Sequence, residues 1–138
     1  ISNKSDVNLD NIIEACSNGN PNNALSYFEN IYENNVTTIR IIRMFVNHFK
    51  LVEKILLITQ TNRDLAYVID NIQPPVFFKK KEFIIFQCKI WNLKLIKIIL
   101  MRLIELELKC KLYSFSEKIF ISQFILSISI LAKNRIKT

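Results

Sequence analysis

Apolar residues recur three and four positions apart along almost the whole chain, and the breaks between these runs fall at residues that stop helices. Residues 1–7 read as a linker, after which Asn8 caps a short helix over 9–17 and Asn18-Gly19-Asn20 breaks it. Asn20 caps a second helix whose first position is Pro21, where the missing N–H costs nothing. Ala24, Leu25, Phe28, Ile31 and Tyr32 make its apolar face. The longest run covers 37–59. Wound at about 100° per residue, Arg40, Arg43, Asn47, Lys50 and Lys54 form one narrow stripe, and nearly everything else is apolar. So thin a polar stripe predicts a helix buried on most sides, the centre of a bundle.

Thr61-Asn62 starts a short helix over 63–71, which Pro74 and Pro75 end. A further helix is expected over 77–90, another over 93–112 capped by Asn92, and a last one over 117–133 capped by Ser116. The tail 134–138 is polar and expected to fray. The pattern predicts an all-α protein, an irregular helical bundle of about six or seven helices with no strand. The single glycine in 138 residues supports this, since sheet turns and phosphate-cradling loops draw on glycine.

Charge and cysteines narrow the classes. The formal net charge is +7, which suits an acidic partner, such as nucleic acid or a membrane surface, but is better read as a lysine-rich composition. Cys16, Cys88 and Cys110 form no CxxC pair, and with one histidine a zinc site is not expected. Reduced thiols in a cytoplasmic protein are expected. The most apolar stretch, 119–132, is shorter than a span of about 20 residues and is interrupted by Ser122, Gln123, Ser127 and Ser129, so no membrane association is expected.

The candidate chemistry is not catalytic. His48 lies among Met44, Phe45 and Val52 and reads as a packing residue. Glu105 and Glu107 point in different directions on a helix; each has a lysine four residues on, Lys109 and Lys111, and reads as half of an ordinary ion pair. No phosphate loop or nucleophile elbow is present, and no catalytic site or cofactor is expected within these residues. Two basic arrays remain: Arg40, Arg43, Lys50 and Lys54, and Lys79, Lys80, Lys81 and Lys89 beside Phe77, Phe78 and Trp91. They read either as solvated faces over an aromatic core or as a nucleic-acid-contacting face in an independent basic helical domain, with Arg40, Arg43, Lys50, Lys54, Lys80 and Lys81 as the contacts. The runs over 37–59, 93–112 and 117–133 each carry more apolar circumference than a small monomer covers, which points to a protein-interaction domain.

One order of segments goes further: NIIEACSNGNPNNALSYFENI, LVEKILLI, PPVFFKKKEFIIFQCKIW and LKLIKIILMRLIELELKCK, then a closing apolar helix. This order, over residues 6–132, resembles the C-terminal domain of the delta subunit of the bacterial DNA polymerase III clamp loader. Its most specific part is Pro74-Pro75-Val76-Phe77-Phe78-Lys79 with Trp91 downstream. The resemblance implies a collar domain for DNA replication, over 8–133, that packs against other clamp-loader subunits of the delta-prime and gamma/tau type. Residues 1–7 would lead from an absent N-terminal ATPase-like region, and 134–138 would be a flexible tail. The sliding clamp and DNA would be reached only through the full-length protein and complex. No ATP hydrolysis is implied for this segment, although the parent complex serves a nucleotidyltransferase. Phe77, Phe78, Lys79, Trp91, Glu107 and Lys109 become candidate subunit contacts, with core packing the alternative for Trp91. The extra lysine and isoleucine depart from the family pattern; isoleucine for leucine keeps side-chain volume.

Overall fold

A computed structural model describes residues 4–33, 36–61 and 64–137, with residues 4–8 described as backbone only. Seven helices follow one another: α1 (Lys4–Ser17), α2 (Pro21–Glu33), α3 (Thr38–Thr59), α4 (Leu65–Asn71), α5 (Lys81–Ile90), α6 (Leu93–Leu112) and α7 (Glu117–Lys137). Short 3-10 turns at Phe78–Lys80 and Ser114–Ser116 lead into α5 and α7. Among the described residues there is no strand, and the all-α bundle is the one the periodicity predicts.

The core is built around α3. Ile41, Ile42, Phe45, Phe49, Val52 and Ile55 are buried along it, and its broadest packing is on α6. The Phe45 ring meets Phe124 edge-on at 5.1 Å, tying α3 to α7. The Phe49 ring meets Trp91 at 5.7 Å, tying α3 to the end of α5. Such edge-to-face pairs add about 0.5–1.5 kcal/mol beyond their buried area. The apolar excess predicted for α3 is absorbed here, since Leu57 is the only large apolar side chain of that helix left exposed.

α1 and α2 form a hairpin that leans on α7. The chain reverses at Gly19, whose φ of +76° suits glycine and which lies flat against the α7 backbone at Lys133. Cys16 is buried beside it, its thiol directed at the Ile125 carbonyl at 3.5 Å. Burial pushes that thiol up to about 12, against a weaker opposing bond from Ser129, so it stays protonated.

Several boundaries differ from expectation. α1 starts at Lys4, so residues 4–7 are helix rather than linker, and Asn8 lies inside the helix instead of capping it. Asp64 caps α4 by accepting from the Tyr67 N–H at 3.3 Å; Asn62 and Arg63, where that helix was expected to begin, lie outside the described residues. α7 continues through the expected tail to Lys137, because Arg135 donates from Nε to the carbonyl of Ile90 at 2.8 Å and pins the last turn to the end of α5. Ser114–Lys137 is therefore long and apolar enough to cross a membrane by length and composition, unlike the shorter 119–132 stretch. Its Ile121, Phe124, Ile125, Ile128 and Ala132 are buried in the core, an arrangement compatible with a soluble bundle.

A Cβ at position 19 would sit 2.7 Å from the Lys133 Cα in addition to the unfavourable φ. Gly19→Ala is expected to cost about 1–3 kcal/mol. The urea-unfolding midpoint should fall while the slope of the transition stays unchanged.

Candidate functional site

The segment from Gln73 to Lys81 is strapped down at both ends and open in the middle. Lys54 of α3 donates from Nζ to the Gln73 carbonyl at 2.6 Å. Lys80 pairs with Asp10 of α1 at 3.2 Å, and Lys81 with Asp70 of α4 at 2.6 Å. Between these straps Phe77 and Phe78 point outward, their rings 5.0 Å apart, with Phe78 73% exposed. Lys79 is exposed beside them. The helix over 77–90 thus opens with a 3-10 turn that lifts both phenylalanines off the core. Trp91 takes the opposite role: it is buried and serves packing, so it leaves the set of candidate contacts.

Gln87 is the residue that sequence reading missed. It is fully buried on α5. Its amide nitrogen donates to the Ser17 carbonyl at the end of α1, 3.2 Å away. Its carbonyl oxygen accepts from the Trp91 indole N–H at 2.8 Å and meets His48 Nε2 at 3.1 Å. Trp91 is only a donor and Ser17 O only an acceptor, so the amide orientation is fixed, and His48 must carry its proton on Nε2. The imidazole stacks on Phe83 and meets Phe49 edge-on. Burial lowers its pKa to about 4; Lys80 pushes the same way and the Gln87 bond opposes them.

His48 lies on the wall of a cavity of about 330 Å³ with Asp10, Glu14, Met44, Lys79, Lys80 and Phe83. A neutral imidazole that already spends its one N–H on Gln87 is poorly placed to act as a general acid, and among the described residues no thiol or hydroxyl lines this cavity as a nucleophile. Among the described residues no group of three or more histidine, cysteine, aspartate or glutamate side chains is placed to hold a metal.

The larger feature is the outer side of α6 and α7. Met101, Ile104, Leu108 and Leu112 are each more than half exposed, and Ile98, Ile119, Leu126 and Ile130 add to them. Here the apolar excess read from the sequence persists. Glu107 is drawn to Lys111 at 3.3 Å, the expected pairing four residues apart. Lys109 lies over the Phe120 ring of α7 at 5.7 Å, and among the described residues no ion pair joins it to Glu105. Of the six candidate nucleic-acid contacts, at least Lys54, Lys80 and Lys81 are committed to the protein's own groups, and Arg43 and Lys50 are exposed along α3. The structure therefore does not gather the six into one free cluster.

Comparison with protein-family models, with curated proteins and with solved structures returned no match in any of the three.

Two outcomes are expected from the Gln87 network. Gln87→Leu strands the Trp91 N–H, the His48 N–H and the Ser17 carbonyl, and should cost about 2–4 kcal/mol in denaturant unfolding. The His48 pKa also links stability to pH. The unfolded chain takes up this proton near 6.5, whereas the folded one resists until about 4. Stability from this group is complete above about 6.5 and is lost as pH falls through the interval to about 4. One edge of the ring meets the open cavity, so the loss is on the order of 2 kcal/mol. His48→Gln, which keeps a donor, should flatten that part of the stability–pH curve; an unchanged slope would assign it to other groups.

Proposed function

We propose that this chain is an assembly domain: the collar segment of a clamp-loader delta subunit, which packs against other clamp-loader subunits of the delta-prime and gamma/tau type. The observation that carries the assembly reading is the exposed apolar stripe of α6, on the side away from the helix's own core contacts and continued in kind on α7. An exposed array of this kind on a bundle with a filled core is a surface for another protein.

The particular family is supported by the run from Pro74 to Trp91. In this run two prolines precede a turn that Lys80 and Lys81 anchor, two phenylalanines stand outward, and the tryptophan is buried beneath. In this reading Phe77, Phe78 and Lys79 are contacts at one edge of the collar, and α6 and α7 provide the broad face. Clamp and DNA engagement belong to the whole subunit and its complex. Independent nucleic-acid binding is the weaker reading, because Lys54, Lys80 and Lys81 are among its cations and are already engaged internally.

The test is size-exclusion chromatography of this chain mixed with the collar domains of the delta-prime and gamma/tau subunits from the same source. A stoichiometric complex that survives moderate salt is expected. Met101→Glu with Leu108→Glu should weaken it at least about tenfold, with an unchanged helical circular-dichroism spectrum, because a charge is forced into a desolvated contact. Absence of any complex with folded partners would refute the collar reading. Binding to DNA alone that falls steeply with salt would replace it with the nucleic-acid reading.

A further inference from the structure

α6 carries two seams of the same period on opposite sides. The inner one is Ile96, Ile99, Leu103, Leu106 and Cys110, all buried, and it is filled mainly by α3 and α7. The outer one is Ile98, Met101, Glu105, Leu108 and Leu112, all exposed. Both step by three and four residues, the spacing by which one helix seats the side chains of another. The outer seam runs about 21 Å at 1.5 Å per residue. The filled seam is occupied by helices, and the empty one has the same spacing.

The outer seam is flanked by cations on both sides. Arg102 and Lys109 border one edge, Lys97 and Lys111 the other, and all four are exposed. Ile104, also exposed, lies between Lys97 and Lys111 on that edge, and Lys94 stands on the line of the seam itself, one turn before Ile98. Lys94, Lys97 and Arg102 have no ion-pair partner among the described residues. Glu105 is the one acid in the seam itself.

These charges choose among occupants. A second copy of the same face would set cations against cations whether the helices ran parallel or antiparallel, and an antiparallel pair centred on the seam would oppose Glu105 to Glu105. Like charges at such flanking positions are repulsive. An anionic membrane would attract the flanks but repel Glu105 from the middle of the buried stripe.

We infer that the outer seam of α6 receives an amphipathic helix of another protein, one whose apolar stripe is bordered by aspartate and glutamate and carries a lysine or arginine opposite Glu105. This deepens the assembly reading by stating the chemistry of the partner at that face, and it rests on that reading.

The probe is a synthetic peptide of about three heptads. It has leucine at the core positions, one central arginine among them, and glutamate at every flanking position. One control peptide replaces the flanking glutamates with lysine, and a second keeps the acidic composition but scrambles the leucines. Fluorescence anisotropy with the full 138-residue chain should show the acidic peptide binding at least about tenfold tighter than either control at physiological salt. Met101→Glu with Leu108→Glu should abolish that binding, and Lys97→Glu with Arg102→Glu should shift preference to the lysine peptide. These positions are exposed, so the fold should be retained.

Equal binding of acidic and scrambled peptides would overturn the inference, as would no binding. Self-association in sedimentation equilibrium that Met101→Glu with Leu108→Glu removes would overturn it in favour of a second copy. Cosedimentation with phosphatidylserine vesicles, removed by the same variant, would overturn it in favour of a membrane. A subunit complex that forms and ignores these substitutions would sink the inference and leave the assembly reading intact. Selective capture of the acidic peptide without any clamp-loader complex would do the reverse.

Discussion

Burying the side-chain amide of Gln87 among aromatic rings is tolerable because its bonds are answered in place. Its carbonyl takes the Trp91 and His48 N–H groups, and its nitrogen gives to Ser17. An unanswered buried amide would cost several kcal/mol, so this arrangement selects one relative position of α1, α3 and α5 over near alternatives. That position has consequences further along the chain. Trp91 is the residue on which the path turns from α5 to α6, and Asn92 immediately caps α6 through the Leu95 N–H at 2.9 Å. Arg135 closes the same corner from α7 through the Ile90 carbonyl. The direction of α6, and hence which of its seams meets the core, is set at this corner.

Hydrophobic burial alone does not decide between the two seams of α6. Both are rich in aliphatic residues, and exposed apolar area forgoes roughly 25 cal/mol per Å². The inner seam holds uninterrupted apolar residues and Cys110, whereas the outer one holds Glu105 and lies between cations. Placing the outer seam inside would desolvate several charges with no partners, at a cost exceeding the difference in apolar area. The helix therefore turns its more polar apolar face outward, where it is available to another chain.

The helices themselves were readable because periodicity and stop signals agree: Asn92 caps as expected, Pro21 opens α2, and α3 spans almost the predicted residues. What escaped reading depends on residues distant in sequence. The end of α7 is held by Arg135 on Ile90, 45 residues away, and no local signal announces it. The burial of Gln87 depends on Ser17, 70 residues earlier. A glutamine between Phe86 and Cys88 looks like an ordinary helix position until its partners are in place. The excess apolar circumference was legible on three helices, but only packing could say that α3 is covered while α6 and α7 are not. The straps from Lys54, Lys80 and Lys81 were hidden for the same reason: a lysine run looks free until the opposing carbonyl or carboxylate is located.

A face of this kind gains from being rigid before it is used. Its inner side is fixed in the core, its start is capped by Asn92, and its end passes directly into the Ser114–Ser116 turn. Little backbone entropy remains to be lost when a partner helix arrives, so the cost that usually erodes the return from buried area is small on this side of the contact. The long charged side chains at the flanks are the mobile part. Lys109 rests on Phe120, and Lys111 is held by Glu107, which leaves Lys97 and Arg102 as the flanking charges a partner can recruit without breaking an existing interaction. In the proposed contact, recognition divides into a preformed apolar stripe that supplies affinity and a basic border that supplies orientation, with Glu105 marking the register between them.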